Sequence, residues 1–174
     1  MGTEAHRWRC ACCGEEQIGL PMDIAMALPV EWDDLDEETR AASHLDEDFC
    51  ELRYSNGEVA RLVRCVLLLP VPSISGEFCF GVWVSVSEGS WDIYKAGFDS
   101  GVYGAEGCFG YLMHEVPNYE GSYLRHANVF FKPDRLRPSV VLQDAEHPLV
   151  AAQRHGIAVS QIERWAALSH RSVQ

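Results

Sequence analysis

The sequence predicts an α+β fold: an antiparallel sheet of five or six strands, helices on one face, and a cysteine knuckle at the N-terminus. Three observations predict it. Residues 62–71 and 78–87 are β-branched and aromatic runs joined by a Pro/Ser/Gly connection, as expected of paired central strands. Cys10-Ala11-Cys12-Cys13-Gly14 crowds three thiols into one turn. Apolar residues recur at helical spacing in residues 89–98 and again after residue 144. At 174 residues the chain reads as one domain, 1–174, with the knuckle at 6–19, the sheet at 48–143 and C-terminal helices at 144–170.

In chain order, Cys10 and Cys13 have C-x-x-C-G spacing, in which a tight turn aims two thiolates at one ion and the glycine lets the backbone curl round it. Cys12 is an extra thiol. Residues 20–32 carry two prolines and read as irregular, with one helical turn at 23–27. Asp33 or Asp34 caps a helix to about Ser43, with Glu37 and Glu38 in its first turn. Residues 48–55 alternate as a half-buried strand ending at Asn56-Gly57, a favoured hairpin turn because both positions accept positive φ. Residues 58–71 return as the next strand and 78–87 form the third, a meander and hence an antiparallel sheet.

Residues 89–98 form a short helix capped by Ser87 or Ser90, with Trp91, Tyr94 and Phe98 on one side. The glycine-rich loop at 99–107 has no Lys-Ser/Thr after its glycines and no helix behind it, so it is not a phosphate cradle. Strands follow near 108–116, 122–132 and 138–143. Asp144 caps a helix running through Pro148 to Arg154, which Gly156 ends; Ser160 caps a last helix bearing Ile162, Trp165, Ala166 and Leu168.

Composition narrows the partners. A net charge of −12 and 23% charged residues argue against nucleic acid and against an anionic membrane surface, both of which need a dense positive field. The acidic residues crowd between Glu31 and Glu51, as a solvated helix with its flanks or as a surface for a basic protein partner. The opening Met-Gly-Thr-Glu-Ala-His has neither a charged nor an apolar leader segment, so a cytoplasmic protein with reduced thiols is expected. The longest apolar run, 66–71, is far short of a transmembrane span.

The knuckle supports three readings, in descending order: structural zinc, plain buried or surface thiols, and redox chemistry. A closed zinc site takes four ligands, and no second C-x-x-C follows, so the others must be scattered. Cys50, His44, His6 and His147 are the candidates, and the preferred set is Cys10, Cys13, Cys50 and His147. Cys65, Cys79 and Cys108 sit in apolar strand patterns as small hydrophobes.

Other motifs fail on context. His114-Glu115 has no second histidine at helical spacing, and Gly81 to Ser85 lacks the second glycine of a nucleophile elbow. His147, beside Asp144 and Glu146 at a helix N-terminus, is a metal ligand or acid–base group, or bonds the backbone as a cap. Arg137 either positions a carboxylate or pairs with the acidic surface. Trp83, Trp91, Tyr111 and Tyr119 line an apolar cleft or belong to the core.

Cys10, Cys12 and Cys13-Gly14, Asp48-Phe49-Cys50, Gly81, Trp83, Ser85 and Ser87, Gly110-Tyr111-Leu112, Pro117-Asn118-Tyr119, Arg137-Pro138, His147-Pro148-Leu149, Gln153 and Gly156-Ile157 occur in that order. Together they resemble the bacterial family named only as domain of unknown function 2199, over about residues 8–165. The resemblance implies a single bacterial cytosolic domain and no particular reaction. Gln17 stands near where the resemblance leads one to expect a histidine, which leaves the metal reading one ligand fewer.

Two functions are therefore open. The first is a non-catalytic binding or regulatory module with a structural zinc site. The second is a metal-dependent enzyme of hydrolase type, holding metal through Cys10, Cys13 and one or two of Cys50 and His147, with water at the open position.

Overall fold

The computed structural model describes residues 6–171. It begins with an antiparallel hairpin, β1 (Arg7–Arg9) against β2 (Glu16–Ile18), whose turn carries the three thiols. β3 (Asp23–Ala25) then runs parallel to a later strand, where the sequence suggested a helical turn. Its backbone groups are taken up by the sheet edge, which overrides a weak local helix preference. α1 (Glu37–Ala42) is capped by Asp36, whose side chain accepts from Thr39 N, two or three residues later than the cap expected at Asp34 or Asp33.

β4 (His44–Leu45) and β5 (Phe49–Arg53) lead through the Asn56-Gly57 turn into β6 (Val59–Val71), and Gly57 has the anticipated positive φ of 88°. A 3-10 turn at Pro72–Ile74 joins β6 to β7 (Gly76–Val86), and the two pair from Arg61↔Val86 to Val71↔Gly76. α2 (Glu88–Gly97) is capped by Ser87. β8 (Gly107–Leu112), β9 (His126–Phe130) and β10 (Ser139–Leu142) complete the strands. α3 (Pro148–His155) and α4 (Val159–Arg171) end the described chain.

The sheet is not the plain antiparallel one that the meander implied. β6, β7, β8, β9 and β10 pair in succession, and β10 then returns to β6 in parallel, Ser139 opposite Val66, closing a five-stranded barrel. The closing bond runs from Val66 N to Pro138 O at 2.8 Å. Closure follows from length and twist: at 13 and 11 residues, β6 and β7 outreach their neighbours, so different stretches of each carry different partners. β5 takes the first part of β6 and β10 its middle, while β8 takes the last part of β7 and β3 its centre.

Strand alternation decides what fills the barrel. Val63, Cys65, Leu67, Leu69 and Val71 of β6 and Phe78, Phe80, Val82 and Val84 of β7 face inward. The intervening residues Leu62 and Trp83 point outward, where Cys50, Leu52 and Met113 cover them as a second cluster. The sequence predicts helices on one face, and the helices do not share one. Trp91 and Tyr94 of α2 pack on Phe49, which lies opposite Val63, whereas Ile157 after α3 bonds Pro70 O at the far end of β6. Seven residues of strand separate those two positions, on the order of 20 Å. The barrel is thus plugged from both ends.

Candidate metal centre

The knuckle is built by its hairpin. Cys10 N donates to Glu15 O at 2.9 Å and Gly14 N donates to Cys10 O at 2.8 Å, which folds residues 11–13 into a tight turn. Gly14 adopts φ of 73°, the left-handed conformation that a side chain would resist. This is the curl the C-x-x-C-G spacing suggested. Cys10 is buried, Cys12 half-buried and Cys13 exposed. Their three sulfurs lie within 4.8 Å of one another, and Cys10 and Cys12 approach to 2.9 Å. Sulfurs on one zinc ion sit roughly 3.8 Å apart, since each Zn–S bond is about 2.3 Å, so the cluster needs only a small adjustment to close on an ion.

Electrostatics favour a thiolate here. The hydrogen bond from the Cys12 thiol brings Cys10 down to about 6, and the same bond pushes Cys12 up to about 11. One proton shared between two thiols leaves a single negative charge at neutral pH. A divalent ion would displace that proton. The hairpin packs through Trp8 and Cys10 on Ala166 and Ala167 of α4, and Trp8 Nε1 donates to Gly19 O at 2.8 Å.

The other ligands preferred from the sequence are not brought to the knuckle. Cys50 lies on β5 in the outer cluster with Leu52, Leu62 and Trp83, and burial, followed by the Glu31 and Asp46 carboxylates, pushes its thiol up to about 12. His147 caps α3: Nδ1 accepts from Leu149 N at 3.2 Å and Nε2 faces Glu120 O at 3.0 Å, which consumes both ring nitrogens. His44 pairs with Asp46 at 2.9 Å, and His6 with Glu163 of α4 at 2.8 Å. The thiol that the preferred set leaves out, and that the turn brings beside Cys10 and Cys13, is Cys12. Its signal was the run of three cysteines within a single turn.

The aromatic candidates divide. Trp83 and Trp91 are core, while Tyr111 is exposed beside Phe109 and His126 on the barrel wall. His114 is buried with Nε2 lacking a hydrogen-bond partner among the described residues. Burial, aided by the Arg64 charge, lowers it to about 4. A histidine held neutral in this way stabilises the fold fully above its unfolded value near 6.5. That stabilisation is lost as pH falls from about 6.5 to about 4, by roughly 3 kcal/mol. Urea titrations across that window should show the loss in the native protein, and His114→Gln should flatten the slope by about one proton.

Among the described residues, no helix is long and apolar enough to cross a membrane. No curated protein and no solved structure matches the chain. Residues 9–157, which contain the knuckle and the whole barrel, match a bacterial family described as an uncharacterised protein conserved in bacteria (DUF2199). The chain belongs to that family, domain of unknown function 2199.

Proposed function

We propose that this protein is a non-catalytic binding module whose N-terminal knuckle holds a structural zinc ion through Cys10, Cys12 and Cys13. The observation that carries the reading is the convergence of three thiols in one glycine-closed turn, one of them already poised as thiolate. A structural site takes a fourth protein ligand. His6 meets Glu163 and Cys10 meets Ala166 and Ala167, so one face of α4 runs along the hairpin. Such a fourth ligand would leave no open position for a water nucleophile, and that is what separates a structural ion from a hydrolytic one.

The acidic stretch from Glu31 to Glu51 supports a basic protein partner: Asp33, Asp34, Glu37 and Glu38 are all exposed around α1.

Elemental analysis of protein purified without added metal tests the site. About one zinc per chain is expected, with loss in Cys12→Ser. Cys50→Ala and His147→Ala should keep the metal. Loss of zinc from either of those two, with retention in Cys12→Ser, would overturn the assignment.

A further inference from the structure

Arg64 interrupts the apolar run of β6 and is only 6% exposed. Nη1 donates to Ala27 O at 3.1 Å, and the guanidinium carbon lies 5.2 Å from the Trp83 ring centroid. Its Nε is buried without a hydrogen-bond partner, and no carboxylate among the described residues forms an ion pair with it. A buried charge left without a counterion is costly. Space has nevertheless been kept for it: a Cβ on Gly81 of β7 would meet Arg64 Nη2 at 3.2 Å.

The guanidinium borders an open cleft of about 460 Å³ lined by Ala27, Leu45, Asp46, Glu47, Arg64 and Arg137. The acids around it are largely engaged. Asp46 Oδ1 accepts from Phe49 N at 2.7 Å and Asp48 N at 2.9 Å, and its Oδ2 from His44 at 2.9 Å. Asp48 Oδ1 accepts from Arg137 Nε at 2.9 Å, and Arg137 Nη2 reaches Glu47 O at 3.2 Å. Two cations therefore face one cleft, and the more buried of them has no acid of its own.

We infer that this cleft is a binding site for a small carboxylic acid with a short apolar tail, its carboxylate held by Arg64 and Arg137. The planar guanidinium fork matches a carboxylate, and Ala27 and Leu45 supply an apolar flank. A dianionic phosphate suits it less, because Asp46, Glu47 and Asp48 stand close and would repel the second charge. None of the knuckle residues takes part, so this site and the zinc site stand or fall separately.

Butyrate is the probe, with inorganic phosphate at equal ionic strength as the comparison. Trp83 Nε1 donates to Ala27 O at 3.2 Å, the same carbonyl that Arg64 uses, so the Trp83 indole N–H signal in a ¹⁵N spectrum reports on the cleft. A saturable shift with butyrate is expected, at a dissociation constant of about 1 mM or tighter. Arg64→Met, which keeps the packing volume, should weaken it at least tenfold, and Arg137→Gln should weaken it with the fold untouched. No saturable shift, an equal response to phosphate, or unchanged binding in folded Arg64→Met would each overturn the inference.

Discussion

Replacing Trp165 with alanine is expected to cost about 4 kcal/mol of stability, the largest loss for any single side chain of α4. The indole is 2% exposed, with ring centroids 4.9 Å from Phe78 and 5.0 Å from Phe80, and its Nε1 donates to Asn118 Oδ1 at 2.7 Å. It is the plug at the α3–α4 end of the barrel. Urea unfolding should register the loss, and in thermal melts it corresponds to a fall of roughly 8–16 °C. Trp165→Phe keeps most of the ring contact and gives up the bond to Asn118, so about 1–2 kcal/mol is expected there. A change below about 1 kcal/mol in Trp165→Ala would mean that α4 does not plug the barrel.

Gly107→Ala should be nearly as damaging for a different reason. A Cβ at Gly107 would meet Val129 O at 2.0 Å and Phe130 Cα at 3.2 Å, both backbone atoms of the β9 partner that cannot swing away. β8 would have to part from β9 at the first pair of their ladder, Gly107 opposite Phe130, at a cost of roughly 3 kcal/mol. Gly89→Ala is the control. Nothing lies within 4 Å of its Cβ position, early in α2, and alanine there should be neutral or stabilising by up to about 1 kcal/mol.

What the sequence made legible follows the range of the physics involved. Asn56-Gly57, the Ser87 cap and the apolar runs of β6 and β7 are local signals, and each element appears close to where it was expected. The barrel was hidden because it depends on one parallel contact between Ser139 and Val66, 73 residues apart in the chain, which no periodicity encodes. His147 shows the same limit at a single residue. Its place at a helix N-terminus was readable, but only the fold reveals that both ring nitrogens are spent on the backbone.

The candidate site was legible in kind more than in membership. Cys10, Cys13 and Gly14 announced a knuckle, and the turn has the curl their spacing requires. Cys50 and His147 are ligand types that suit such a knuckle, but residue type carries no distance, and the fold holds Cys50 in the outer cluster and His147 at the cap of α3. Arg64 was overlooked altogether, although a charged residue inside an apolar strand is itself a signal, because strand alternation puts it on the outer wall under Trp83.

The most direct test of the central claim is X-ray absorption at the zinc edge on the purified protein. The account expects three sulfur ligands at about 2.3 Å and a fourth ligand from the protein, with no solvent oxygen in the first shell. Fewer than three sulfurs, or a first-shell oxygen from solvent, would contradict a closed structural knuckle. Protein that carries no zinc while Cys10 and Cys12 oxidise readily to a disulfide would make the turn a redox device instead.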